Sequence, residues 1–278
     1  KNIKEYKSIK INAQLDNSVL KSKGLVGTGL TCGVDSFYTI FSNKDNKTVD
    51  YNIDVLTCFN VGSNGSYGGE KARQLFNERA SKDEEFARRY NYIFLKVDSN
   101  ISEFLNMLNI ETHSYRSMAV PLIFQKLFRV YYYSSGYTFN EFKVVKEAMA
   151  RIDLLNVHCF SNENINFYST GSEYNRIEKL DLISRYEETY NYLNVCTSTS
   201  ENCSKCEKCI RTMLELYALN KLEIYKNVFD VDDFYKNFKK RCSNLILYWN
   251  DRFYKEIRVQ FKKNQKKNSI YILYNRVS

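Results

Sequence analysis

The residues whose types and spacing suit catalysis lie in the hexapeptide Thr-Cys-Gly-Val-Asp-Ser at residues 31–36. A short Val/Leu run precedes it and an apolar helix start follows, so the small residues occupy a sharp strand-to-helix turn. Backbone N–H groups at such a turn, together with the positive end of the helix dipole, bind phosphate oxygens. Thr31 and Ser36 add hydroxyl donors, and Asp35 is placed to hold Mg²⁺ or to order the loop. The hexapeptide therefore predicts a phosphate-binding loop whose ligand is a nucleotide.

A polar stretch at residues 170–179 is the predicted second half of this site. It follows a predicted strand and combines a glycine with hydroxyls, carboxylates, Arg176 and Lys179, so either cation could neutralise phosphate charge. Glu173 is placed to assist metal or substrate binding. The start of a capped, salt-bridged helix explains the same residues, and both interpretations stay open.

The expected site residues come from these two stretches and from the end of the second predicted strand, where Phe59 is expected to contact adenine through its backbone. Catalytic roles are expected for Asp35, Ser36, Arg176 and Lys179. Nucleotide contacts are expected for Gly29, Leu30, Thr31, Cys32, Gly33, Val34, Asp35, Ser36, Phe59 and Gly171.

Two other interpretations of the glycine-containing region remain. The first is a dinucleotide loop of the form G-x-G-x-x-x-G built from Gly27, Gly29 and Gly33. Its glycines fall partly within the predicted strand, and Cys32 is only marginally small enough for close packing of helix on strand. The second is an ordinary connection between a strand and a helix. The phosphate loop is favoured over both.

Four of the eight cysteines fall within fourteen residues near the C-terminal third of the chain. They are Cys196, Cys203, Cys206 and Cys209. Two-residue spacers let successive thiolates face one ion, so the pattern predicts a tetrahedral Zn²⁺ site, although an iron–sulfur cluster can use the same spacing. Lys205, Lys208 and Arg211 would partly offset the negative charge of such a site.

The hexapeptide resembles the S-G-G-x-D-S loop of the ATP pyrophosphatase (PP-loop) family, with four of six positions agreeing in type. Thr31 replaces Ser conservatively. Cys32 stands where that family has its first Gly, so a backbone position that favours positive φ carries a side chain. The cysteine pattern resembles the zinc site of the 7-cyano-7-deazaguanine synthase-like (QueC-like) members of the family. The two motifs occur in the family's order, and the resemblance covers about residues 24–220.

This resemblance implies a fold, an activity and a set of cofactors. The fold would be an adenine nucleotide alpha-hydrolase-like (HUP) α/β domain, a doubly wound parallel sheet with a C-terminal zinc knuckle and a helical appendage. The activity would be that of an ATP-dependent ligase that adenylates a carboxylate, such as the 7-deazapurine 7-carboxy-7-deazaguanine, and releases AMP and pyrophosphate. The product would be an amide, a nitrile or a nucleobase–protein conjugate, the last in phage defence. Cofactors would be structural Zn²⁺, Mg²⁺ and ATP.

Two alternative functions come from different classes. One is tRNA sulfur transfer, in which the same loop binds ATP, the basic ends of the chain bind RNA and a cysteine carries persulfide. The other is a degenerate nucleotide-binding or assembly module, suggested by Cys32 in the loop. For the favoured ligase, the expected partners are ATP, the deazapurine carboxylate, a protein acceptor and a second copy of the chain in a homodimer.

Strands and helices alternate along the chain, which favours a doubly wound, mostly parallel sheet. A polar lead-in at residues 1–23, with one strand at 8–13, is expected before the ATP-binding domain at 24–195, the zinc knuckle with its helix at 196–222 and a basic helical appendage at 223–278. Further strands are expected at 51–61, 92–98, 129–135 and 165–169, and helices at 70–90, 101–108 and 117–128. Pro121 is expected in the first turn of the last of these helices, and His113 in a polar loop before it.

Composition excludes some classes of protein. A chain of 278 residues with 44% hydrophobic content can bury a core, and it has no apolar run long enough to span a membrane. The Lys-rich start lacks an adjoining apolar segment, so we expect it not to act as a signal peptide. We therefore expect a cytoplasmic protein with reduced cysteines and no membrane contact. The net charge of +9 is concentrated at residues 1–10 and 252–267, and solvated basic tails explain it better than a nucleic-acid partner does.

Overall fold

The protein is an α/β structure built on one sheet of five parallel strands. The computed structural model describes residues 10, 12–14, 21–44, 49–145 and 149–264. The strands are β1 (Leu25–Gly29), β2 (Val55–Asn60), β3 (Ile93–Asp98), β4 (Phe128–Ser134) and β5 (Asn166–Thr170), in the order β3-β2-β1-β4-β5. The chain builds outward from β1 to one edge and then returns to the other side of β1, so the order reverses between β1 and β4. Ligands of open α/β sheets bind at the carboxyl ends of the strands beside such a reversal.

Ten α-helices within the described residues surround and extend the sheet. They are α1 (Val34–Lys44), α2 (Glu70–Arg89), α3 (Ile101–Leu105), α4 (Asn109–Ile123), α5 (Asp153–Cys159), α6 (Arg176–Ile183), α7 (Glu207–Ala218), α8 (Val231–Lys236), α9 (Phe238–Leu247) and α10 (Arg252–Lys263). Short 3₁₀ turns lie at Val49–Tyr51, Phe139–Glu141, Met149–Ile152, Glu187–Thr189 and Leu222–Tyr225. No described helix is long and apolar enough to cross a membrane.

The sequences of the central strands are largely apolar because these strands are buried on both faces of the sheet. Val26 on β1 and Val55 and Leu56 on β2 are buried, as strands covered on both faces should be. The largest apolar cluster covers α1, α6 and α7 and continues into α8–α10, where Phe234 and Phe261 are fully buried. The C-terminal helices therefore share a core with the helices that carry the site.

The structure confirms the predicted parallel α/β sheet, and each predicted strand within the described residues overlaps an observed one. The strand expected at residues 8–13 lies largely outside the described residues. One helix was predicted wrongly: α4 begins at Asn109, so Pro121 lies in its last turn and His113 lies on the helix. The reason is that α4 buries polar side chains, among them Thr112 and Ser114, which made its first half look like a loop.

Candidate functional site

The loop between β1 and α1 is closed by its own side chains. Ser36 Oγ donates to Gly33 O at 3.0 Å and lies 3.2 Å from Thr31 Oγ1. Gly33 O also accepts from Phe37 N at 3.0 Å, so Gly33 is the residue from which α1 begins. The first N–H groups of a helix have no acceptor within it. The loop therefore holds rigidly a helix N-terminus of the kind that binds anions.

Cys32 occupies the left-handed region of backbone conformation, with φ of 51°. This confirms the expectation that the position favours glycine. Two contacts hold it there: its carbonyl accepts from Asn194 N at 2.8 Å, and its thiol donates to Asp83 Oδ1 at 3.1 Å. Burial raises the pKa of the Cys32 thiol and raises the pKa of Asp83 to about 7. Cys32 is thus a buried, protonated donor that does not line the cleft described next, although its partner Asp83 does.

A cleft of about 400 Å³ opens at the carboxyl ends of β1, β2 and β4, beside the reversal in strand order. Most of the residues predicted to contact a nucleotide line it: Gly29, Leu30, Thr31, Gly33, Val34, Asp35, Ser36 and Phe59. Cys32 and Gly171 do not. Gly171, with φ of 81°, instead packs against Lys179, whose Nζ would lie 3.0 Å from a Cβ at that position.

The two cations predicted to neutralise phosphate are already paired with carboxylates. Lys179 Nζ donates to Asp35 Oδ1 at 2.8 Å and to Ser135 O at 2.6 Å, and it does not line the cleft. Arg176 lines the cleft, but its Nε donates to Glu215 Oε2 at 3.1 Å. Burial alone raises the pKa of Asp35, yet Lys179 and Arg176 hold that pKa below its ordinary value. Asp35 is therefore an ionised carboxylate fixed at the first turn of α1.

Neutral side chains from α4 line the opposite wall of the cleft. Asn109, His113 and Ser117 face it together with Tyr133 of β4. His113 Nδ1 lies 2.7 Å from Tyr133 Oη, and burial lowers the pKa of His113 to about 4. The imidazole is neutral at pH 7, so this wall offers hydrogen bonds without charge. The sequence did not reveal this wall because Tyr133, the closer hydrogen-bond partner of His113, lies 20 residues away on β4.

The four cysteines of the predicted metal site converge. Their sulfur atoms all lie within 4.8 Å of one another, and the Cys196–Cys206 and Cys203–Cys209 sulfur pairs are each 4.0 Å apart. Zn–S bonds of about 2.3 Å place tetrahedral sulfurs about 3.8 Å apart. A polynuclear cluster would spread the sulfurs further. The donor set could hold one metal ion and is consistent with zinc.

Hydrogen bonds orient these sulfurs and join the cysteine segment to the cleft. Thr199 Oγ1 donates to Cys196 Sγ at 3.0 Å. Arg79 on α2 donates through Nη2 to Cys196 O at 2.9 Å and through Nη1 to Asn64 Oδ1 at 2.8 Å. Arg79 and Asn64 both line the cleft. A metal ion at the cysteines would therefore also stabilise one wall of the cleft.

Lys208 is a functional candidate that the sequence pattern did not place in the cleft. It was expected to offset the charge of the predicted metal site, and in the structure it also lines the cleft alongside Asp35 and Arg176. Its position in the spacer between Cys206 and Cys209, at the start of α7, was the available signal. Residues between metal ligands are held close to a rigid centre, which suits them to precise placement in a site.

Comparison with known proteins adds no family. No protein-family model, no curated protein and no solved structure matches this chain. Function therefore has to be argued from the geometry of the cleft and of the cysteine site.

Proposed function

We propose that the protein binds ATP in the cleft and uses it to adenylate a carboxylate substrate, with AMP and pyrophosphate as products. The observation that carries the proposal is the glycine-type bend at Cys32 followed by the N-terminus of α1, which opens on the cleft where the strand order reverses. This arrangement supports assignment of the sheet to the adenine nucleotide alpha-hydrolase-like (HUP) fold.

The chemistry of the loop favours cleavage between the α- and β-phosphates. A P-loop ends in Gly-Lys-Ser/Thr and grips the terminal phosphates with its lysine. Here Val34 follows Gly33, so the loop carries no such lysine. A carboxylate oxygen of the substrate attacks the α-phosphorus, the bond from that phosphorus to the bridging oxygen breaks, and pyrophosphate leaves. Ammonia or an amine then attacks the acyl carbon, and AMP leaves.

Residues of this chain position the reactants, which is the main source of catalysis in such transfers. Backbone N–H groups at the start of α1 bind phosphate oxygens, and Ser36 keeps the loop closed through Gly33. The ionised Asp35 is placed to hold Mg²⁺, which supplies charge neutralisation on the leaving group. The neutral wall of Asn109, His113 and Ser117 suits a planar heterocycle rich in hydrogen-bonding groups. A deazapurine carboxylate has that chemistry.

The cysteine site is proposed to be a structural Zn²⁺ site. All four ligand positions are taken by thiolates, which leaves no open position for a substrate or water. Two further roles are proposals from the family resemblance: transfer of the activated deazapurine to a protein acceptor, and action in phage defence. The ordered loop and complete cleft support the enzyme over a degenerate nucleotide-binding module.

The test is the identity of the nucleotide products. The full chain is incubated with Mg²⁺ and ATP, with and without 7-carboxy-7-deazaguanine, and products are separated by chromatography. AMP and pyrophosphate that require the carboxylate support the proposal, while ADP as the main product refutes it. AMP that appears only with added tRNA assigns sulfur transfer instead.

Matched serine variants of α1 locate the activity. Ser36→Ala removes the hydroxyl that closes the loop, so we expect turnover to fall at least about tenfold. Ser42→Ala alters an exposed serine on the same helix whose hydroxyl donates to Thr39 O, away from the cleft, and should retain wild-type turnover. Equal turnover in both variants would place the reaction elsewhere.

A further inference from the structure

A second, smaller cavity adjoins the cleft. It measures about 150 Å³, and we refer to it as the rear cavity. Asp35, Arg176 and Lys208 line both the rear cavity and the cleft, so they form the junction between the two. The far wall of the rear cavity comes from α10, through Arg252 and Phe253. Helix α10 thus lines a cavity that adjoins the proposed reaction site.

The rear cavity is rich in cations. Five basic side chains line it against three carboxylates: Arg176, Lys179, Lys208, Arg211 and Arg252 against Asp35, Glu141 and Glu256. Lys179 is paired with Asp35, Arg252 with Glu141, and Arg176 with Glu215 just beyond the lining. Lys208 forms no direct ion pair or hydrogen bond with another described residue. Arg211 lies 3.4 Å from Glu207 Oε1, so among the described cations that line the rear cavity Lys208 is the one without a directly paired carboxylate, and it lies at the junction.

An unsatisfied donor lines the same cavity. Arg211 is buried with its guanidinium over the Phe253 ring, 4.0 Å from the ring centre. Its Nε has no hydrogen-bond partner and lies 3.9 Å from Glu215 Oε1, which also has none. The Phe253 ring also makes a cation–π contact with Arg252, whose guanidinium is 4.2 Å from the ring centre. The other end of the Arg211 guanidinium is paired, with Nη1 donating to Glu207 Oε1 at 3.4 Å. Buried donors are nearly always satisfied, so an oxygen-rich anion in the rear cavity is one acceptor available to Nε, and the facing Glu215 carboxylate is the other.

We propose that Lys208 binds the pyrophosphate end of ATP, and that the rear cavity receives pyrophosphate as it leaves. This rests on the proposed function, because it concerns the same nucleotide. The loop lacks a lysine after Gly33, and Lys179 and Arg176 next to Asp35 are already paired with carboxylates. Of the described cations at the junction, Lys208 is therefore the one available to bind the leaving group. The cysteine site then acts as a positioning device, since Cys206 and Cys209 flank Lys208 on the first turn of α7.

A matched pair of lysine variants tests this. Lys208 and Lys205 each stand immediately before a metal-site cysteine, in successive two-residue spacers. Lys205 is exposed and lines neither the cleft nor the rear cavity. Lys208→Met and Lys205→Met therefore make the same change at the same distance from the metal ligands. Calorimetry measures binding of Mg²⁺-ATP, Mg²⁺-pyrophosphate and AMP to each full-length variant, and metal analysis confirms that both keep the metal content of the wild type.

We expect Lys208→Met to weaken ATP and pyrophosphate binding at least about tenfold and to leave AMP binding within about twofold, because one charge-assisted contact to the leaving group is lost. Lys205→Met should bind all three like the wild type. Unchanged pyrophosphate affinity in Lys208→Met, or an equal loss for AMP, overturns the inference. The binding of pyrophosphate needs no carboxylate and no turnover, so this result is independent of whether AMP or ADP is the product.

Discussion

Lys179 and Asp35 form an unequal pair: the ammonium is 3% exposed, whereas the carboxylate to which it donates at 2.8 Å is 33% exposed. Asp35 therefore faces the cleft with one side and neutralises a buried charge with the other. From sequence alone, both residues were expected to act on the nucleotide. In the structure Lys179 donates to Asp35 and to the carbonyl of Ser135, and it lines the rear cavity rather than the cleft.

Asp35→Ala is expected to lower stability as well as nucleotide affinity. It leaves the Lys179 ammonium buried without its partner, and we expect the free energy of unfolding to fall by about 2 kcal/mol. Urea denaturation followed by circular dichroism measures the loss. The double variant Asp35→Ala/Lys179→Met removes both charges and should recover much of the stability but none of the affinity. A double variant as unstable as the single one would contradict this pairing.

One Zn²⁺ per chain is expected in protein purified without added metal. Cys206→Ser removes one ligand, and because a structural site contributes directly to folding, the Tm should drop by at least ~5 °C. Elemental analysis and thermal denaturation check both statements. Cys159→Ser is the control, since Cys159 is an exposed thiol outside the cluster. Iron in the purified protein, or zinc retained at full occupancy by Cys206→Ser, would be evidence against the assignment.

The stabilities of variants at Cys32 should follow the backbone preferences of the replacing residues. Glycine adopts φ of 51° without strain, whereas alanine carries a cost of about 1 kcal/mol there. Both lose the hydrogen bond to Asp83, so Cys32→Gly and Cys32→Ala differ only in the backbone preference and in the packing of one methyl group. Chemical denaturation should find the glycine variant more stable by about 1 kcal/mol. The reverse order would mean that side-chain packing outweighs the conformation.

His113 should remain neutral down to about pH 4. Its pKa is lowered by burial to about 4 from an unfolded value of about 6.5, so the unfolded chain binds the proton first as pH falls. The contribution of His113 to stability is then fully present above pH ~6.5 and is lost progressively toward pH ~4. Nuclear magnetic resonance of the imidazole measures the titration, with His158→Gln used to assign the only other histidine. A midpoint near 6.5 for His113 would contradict the buried geometry.

Short sequence patterns predicted the features of the structure that are formed by residues close together in the chain. The strand-turn-helix signal placed the loop, and the spacing of the cysteines predicted that they cluster, because both depend on residues close in sequence. The neutral wall around His113 depends on which elements pack together, so no single sequence window contained it. The spacer position of Lys208 was visible in the sequence, but its place in the cleft depends on how α7 packs against α1 and α6. Arg176 was placed correctly at the cleft, but its partner Glu215 lies on a different helix, and the pairing changes what Arg176 is free to bind.

The contacts that fix the walls of the cleft also determine at what point of translation the cleft can form. Lys179 and Asp35 are 144 positions apart in the chain, and Arg79 and Cys196 are 117 apart. A chain leaving the ribosome exposes the loop first, while the residues that fix it are still untranslated. Such distant pairings also form late because they close long loops. The nascent protein therefore carries the hexapeptide long before it has an assembled cleft, and that cleft is completed only when α6 and the cysteine segment have emerged.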